Sequence, residues 1–163
     1  MARSRDWFAI STAIRALADL GLEEEAVSQE NVEIVQRTYE RVNNAYQTGD
    51  YQGTIEDHCH PDVVLRTSGM FPETGEYRGY DALREFMMNQ AEAFEEMWVQ
   101  PAEFINAGDQ VVVPLRFGGT ARHSGIDATF SVVHVLTIRD HKIARLDMYQ
   151  SRDEALKAVG LEE

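Results

Sequence analysis

The sequence predicts an α+β fold: a cone-shaped, curved antiparallel sheet packed against three helices, with an extra helix at the N-terminus. Three observations predict it. Apolar residues recur at helical spacing through the first part of the chain, they alternate as strands do through the second half, and Gly-, Asp- and Pro-containing turns separate the segments. Helices laid on one face of a bent sheet leave a pocket between the layers. With 163 residues, 44% of them hydrophobic and 26% charged, the chain is of a size to bury one substantial core.

The first 27 residues read as an amphipathic helical extension, and residues 28–163 as the main domain. Trp7, Ile10, Ile14 and Leu17 follow helical spacing, and Gly21 stands where a helix would stop before Glu23–Glu25. Asp6, Arg15 and Asp19 interrupt this stretch, so no apolar run approaches the roughly 18 residues that span a bilayer. Neither a signal peptide nor a membrane span is expected. The extension reads either as a loosely held segment or as a lid or dimer arm.

Ser28 is placed to cap a helix from about Gln29 to Gln47, with Val32, Val35, Tyr39, Val42 and Tyr46 on one stripe. Asp50 caps a second, short helix through Ile55 and His58, and Pro61 forbids its continuation. A strand over Val63–Arg66 and a loop from Ser68 to Tyr80 lead to a third helix, Asp81 to about Glu96, with Leu83, Phe86, Met87, Gln90 and Phe94 inward. Four sequential antiparallel strands then cover Trp98–Ile105, Gln110–Arg122, Ile126–Ile138 and Lys142–Tyr149. Pro114 suggests an edge position or a bulge, because it lacks a ladder donor. Ser151 caps a last helix, Asp153–Val159, which Gly160 ends.

A formal net charge of -13 opposes binding to nucleic acid or to an anionic membrane, since both rely on clustered Lys and Arg. Cys59 is the only cysteine, so an intrachain disulfide is impossible and a cytoplasmic location is expected. No phosphate loop of the Walker or dinucleotide type occurs, and no cofactor is expected. His58, Cys59, His60 and Asp62 have the composition of a metal site but straddle a helix end and a proline turn, so no metal site is expected either.

The segments "SQENVEIVQRTYERVNNAYQTGDY", "HPDVVLR", "GEYRGYDALREF", "FINAGDQVVV", "VVHVLTIRDHKIARLDMY" and "DEALKAVGL" resemble, in their order and spacing, the SnoaL-like branch of the nuclear transport factor 2-like superfamily. The resemblance covers about residues 28 to 161. It implies a cystatin-like cone, commonly dimeric, with a pocket used by relatives such as ketosteroid isomerases, polyketide cyclases and epoxide hydrolases. It does not by itself carry a reaction. Ungapped alignment to the ketosteroid isomerase pattern places Val42 at the donor tyrosine, Arg66 at the base aspartate and His134 at the second donor. All three identities differ, so steroid-type isomerisation by that mechanism is not expected.

The same alignment puts His134, Leu136 and Ile138 on the pocket face and Val133, Val135 and Thr137 on the other. His134 is then either a satisfied core histidine or a proton shuttle and ligand contact, and the second role would make it pH-sensitive near neutrality. Arg66 either points inward toward an anionic group or, with the register displaced by one, is exposed with Leu65 inward. His134 and Arg66 are the catalytic candidates; Tyr39, Val42, Phe86, Gln90, Arg116, Leu136 and Met148 are the ligand-binding ones. Asp147 is expected to face outward. The expected partner is a small apolar or weakly anionic molecule, handled by a cofactor-independent isomerase, cyclase or hydratase or by a non-catalytic binding or dimerisation module. A homodimer is expected through the outer sheet face, with Val133, Val135 and Phe117 in the contact.

Overall fold

The structure, a computed structural model, describes the backbone of residues 3–67 and 75–161 and the side chains of residues 25–67 and 75–161. Its elements, in chain order, are α1 (Arg3–Thr48), α2 (Tyr51–His58), β1 (Cys59–Arg66), β2 (Glu76–Arg78), α3 (Gly79–Ala93), β3 (Phe94–Pro101), β4 (Ile105–Ala107), β5 (Gln110–Ala121), β6 (Asp127–Arg139), β7 (Lys142–Tyr149) and α4 (Arg152–Ala158).

The chain enters the domain along one helix rather than two. Gly21 does not stop α1 and Ser28 does not cap it; both lie inside its 46 residues. An interior glycine costs a helix only about 1 kcal/mol, and the strong helix formers on either side of Gly21 absorb that. The stripe residues Trp7, Ile10, Ile14 and Leu17 have side chains outside the described residues. α1 ends as its sequence predicts: Gly49 takes a left-handed conformation (φ 83°) and its N–H closes the last turn on Ala45 O at 2.7 Å. Asp50 then caps α2, its Oδ1 accepting from Gly53 N at 3.1 Å.

The strands form one seven-stranded curved sheet in the order β2-β1-β7-β6-β5-β3, with β4 also on β5. β1 runs parallel to β7 and carries β2 on its other side, while β5, β6 and β7 are antiparallel neighbours. β5 and β6 pair continuously from Gln110↔Thr137 to Thr120↔Asp127. Curvature comes from irregular ladders. The β3 register shifts between Glu95 and Trp98, where Glu96 has φ 53°, and a second shift separates Thr137 from Ile138. The β5–β6 ladder leaves no room for a side chain at Gly118, where an added Cβ would stand 2.2 Å from Ala128 O.

Boundaries moved where helix and strand patterns overlap. α3 spans Gly79–Ala93 rather than Asp81–Glu96, and Phe94, expected inside the helix, is its C-cap and the first residue of β3. Pro114 is on neither an edge strand nor a bulge: β5 is interior. Its carbonyl accepts from Ala102 N at 2.9 Å, in the gap where β3 ends and β4 begins. N and O of one strand residue point to the same side, so the missing donor faces that gap.

Two hydrophobic layers result. On the concave face, Val35 and Tyr39 of α1, Leu83 and Met87 of α3, and Val113 and Leu136 of the sheet share one core. On the convex face, α4 lays Ala155, Leu156 and Val159 over Val112, Val133 and Val135. Val133 and Val135 are therefore buried within the protomer and supply no dimer surface. Phe117 does not belong to that face at all; it lies on the concave side, stacked on Phe130 at 5.2 Å.

Candidate functional site

Between α1, α2, α3 and the concave sheet lies a cavity of about 130 Å³. A smaller, more open compartment of about 50 Å³ adjoins it toward Gln90 and Phe117. The walls are predominantly aliphatic and aromatic, and no Asp, Glu, Lys or Arg lines either space among the described residues.

Its central polar feature is a buried pair. Tyr39 comes from the inward stripe of α1 and His134 from the middle of β6, where Val113 and Met148 flank it. The Tyr39 hydroxyl lies 2.8 Å from His134 Nδ1, and the rings stack at 6.0 Å with 24° between planes. Phe104 packs against the other side of Tyr39 at 6.4 Å. Burial pushes the imidazole down to about 3 and the phenol well above its ordinary value, so both groups are uncharged at neutral pH. We assign the proton order accordingly: the phenol, the better donor, gives its hydrogen to Nδ1, and the imidazole carries its own on Nε2. Nε2 has no partner among the described residues, which leaves an N–H donor at the cavity.

Other polar groups in the wall are largely occupied. Thr38 Oγ1 donates to Ile34 O at 2.8 Å and lies 3.3 Å from His58 Nδ1, and Thr54 Oγ1 donates to Asp50 O at 2.8 Å. Burial, then the charge of Arg41, lowers His58. Cys59 is buried in the wall, and desolvation pushes its thiol up to about 12, too high for a nucleophilic thiolate at neutral pH. His60 bonds Arg139 O, and Asp62 pairs with the Arg139 guanidinium at 3.1 Å. Among the described residues no group of three His, Cys, Asp or Glu side chains could hold a metal ion.

Of the sequence candidates, His134, Tyr39, Val42, Phe86, Leu136 and Met148 line the main cavity, and Gln90 lines the smaller compartment. Arg66 and Arg116 do not. The register of β1 puts Leu65 inward and Arg66 on the convex face, where its Nε lies 3.2 Å from Asp147 Oδ1 and its guanidinium sits 6.0 Å from the Tyr149 ring. Arg116 is exposed on the same face and donates to Gln100 at 3.2 Å. Asp147 faces outward as expected but is only 7% exposed, held between Arg66 and Arg145. The ungapped alignment fails at Arg66, whose side chain is on the convex face. It also misplaces the hydroxyl: Tyr39, one turn before Val42, stands beside His134. Thr38, Thr54 and His58 also line the cavity, and nothing in the sequence pattern singles them out for it.

Helices laid over the concave face of a curved sheet, with a cavity between the layers, define an α+β cone. Residues 35–146 match the SnoaL-like domain family, and the chain belongs to it. Its structure is similar to an NTF2-like protein of unknown function from Burkholderia pseudomallei (23% identity, TM-score 0.62, 80% of this chain and 97% of that one). It is also similar to TerC co-crystallised with polyporic acid (26%, 0.62, 80% and 98%). SalBIII, an epoxide hydrolase/cyclase-like enzyme with a role in pyran ring formation in the polyether salinomycin, shares the fold (20%, 0.61, 76% and 92%). No curated protein matches the sequence. No helix among the described residues is long and apolar enough to cross a membrane.

Proposed function

We propose that the protein binds a small, uncharged, largely apolar molecule and holds a carbonyl oxygen of it through His134 Nε2–H, supporting cofactor-independent isomerisation or cyclisation of that molecule. One observation carries this reading: a neutral Tyr39–His134 pair set in a cavity wall without charged residues. A neutral imidazole donor in a water-poor site binds an oxygen more strongly as negative charge develops on it, and it has no reorganisation to undergo at that moment. The ligand character shifts from the sequence reading. With Arg66 on the convex face, a carboxylate in the cavity would find no cation, so a weakly anionic ligand is disfavoured. TerC, similar over most of both chains, was crystallised with a small organic molecule, which supports a ligand-binding role here.

Thermal-shift titration tests this. Neutral aryl ketones should raise the melting temperature, the corresponding carboxylates should not, and His134→Leu should abolish the difference. Equal shifts by ketone and carboxylate, or ketone binding indifferent to His134→Leu, would overturn the reading. A second reading, binding without turnover, is favoured by the absence of Asp and Glu from the described cavity wall, since no carboxylate stands ready to accept a proton. Substrate turnover that disappears in His134→Leu while binding of an oxygen-free analogue persists distinguishes the first reading from the second.

A further inference from the structure

The size of the cavity and the placing of its free polar groups narrow the occupant further. The inner chamber, about 130 Å³, is close to the roughly 150 Å³ apolar cavity that accepts benzene in an engineered protein. The outer compartment measures about 50 Å³. The enclosed inner chamber has room for one six-membered ring but not for two fused rings, and the more open outer compartment takes a substituent.

Tyr46, Phe86, Val99, His134 and Met148 line both chambers and therefore form the neck between them. Two of these five bring polar atoms. His134 offers Nε2–H from β6, and Tyr46 offers its hydroxyl from α1, two turns beyond Tyr39. The Tyr46 ring is fixed edge-on against Tyr51 at 5.9 Å, and its hydroxyl makes no hydrogen bond among the described residues. Burial, and then Tyr51, raises the phenol above its ordinary value, so it stays protonated and able to donate. The rest of the neck is apolar, so these two donors are the groups that an oxygen passing through it would meet.

Building on the carbonyl-binding reading above, we propose that the ligand is a monocyclic carbonyl compound, its ring in the inner chamber and its oxygen in the neck between His134 Nε2 and the Tyr46 hydroxyl. The oxygen is then on the ring itself or one carbon from it, because the neck borders the ring chamber directly. Tyr46 and Phe86 become the specificity residues: the first reads the oxygen, and the second limits the number of rings.

Isothermal titration with three probes tests this on the full chain: acetophenone; α-methylstyrene, which replaces its oxygen by a methylene; and 2-acetonaphthone, which adds a fused ring. Acetophenone should bind about tenfold or more tightly than either of the others, because a site built to donate to an oxygen rejects the analogue lacking it. Tyr46→Phe should weaken acetophenone about three- to tenfold and leave α-methylstyrene unchanged. Phe86→Ala, or Phe86→Leu if the alanine variant does not fold by circular dichroism, should close the gap between acetophenone and 2-acetonaphthone.

Three results would overturn the proposal: 2-acetonaphthone binding the wild type as tightly as acetophenone, acetophenone affinity unchanged in Tyr46→Phe, or no acetophenone binding at millimolar concentration. Failure of the broader reading looks different. It appears as acetophenone affinity indifferent to His134→Leu, or as benzoate preferred over acetophenone.

Discussion

His134 titrates at about 3 in the folded protein, against about 6.5 in an unfolded chain. Between those values the unfolded chain binds the proton and the folded one does not. The stability that depends on a neutral His134 is therefore complete above pH 6.5 and is lost as the pH falls toward 3, at about 1.4 kcal/mol per unit. His58, also lowered by burial, adds in the same direction. Urea denaturation at pH 7, 6 and 5 should show this slope, and His134→Gln should flatten most of it; an unchanged slope in the variant would assign the acid sensitivity to other groups. Tyr39 has a separate signature. Tyr39→Phe keeps the packing against Phe104 but leaves Nδ1 buried without its partner. It should cost about 1–2 kcal/mol in the same assay at pH 7.

At the scale of the element, the long β5–β6 hairpin forms the continuous centre of the sheet that floors the cavity. Gly118 on β5 has no room for a side chain, its Cβ position lying 2.2 Å from a backbone oxygen and 3.1 Å from the Trp98 ring. Backbone cannot swing aside as a flexible side chain can. Gly118→Ala should therefore destabilise by about 1–3 kcal/mol, as overpacking does elsewhere, read from the denaturation midpoint. The β3 bulge behaves oppositely. Glu96 holds a left-handed conformation (φ 53°) at an exposed site, which costs a side-chain-bearing residue about 1–2 kcal/mol. Glu96→Gly should recover part of that and raise the melting temperature, provided the bulge is retained. α4 matters for a different reason: by covering Val133 and Val135 it turns apolar strand residues that invite a partner subunit into a second, internal core.

Across the whole molecule, a net charge of -13 repels itself in the compact state. The ion pairs on its surface, such as Arg41–Asp57 and Arg122–Glu95, are exposed and individually weak. Screening should then relieve more repulsion than attraction, and the melting temperature should rise from 10 to 150 mM NaCl; a fall would show that the ion pairs dominate. Much of this architecture was legible in the chain alone. Periodicity distinguishes the helices from the strands because burial on one face imposes it locally. Asp50, Gly49, Ser151 and the Asp140-His141 turn mark their boundaries because caps and tight turns are short-range chemistry. His134 was legible as an inward polar residue only through the family resemblance, because strand alternation separates two faces without saying which of them is inward. Alternation left two faces open for β1, and only the packed sheet shows that Leu65 takes the cavity side and Arg66 faces Asp147. Gly21 was a local stop signal overruled because the helix formers around it offset one glycine. The Tyr39–His134 bond joins residues 95 positions apart, and the neutrality of that pair follows from desolvation. Both depend on which surfaces meet once the helices close over the sheet, and only the tertiary structure decides that.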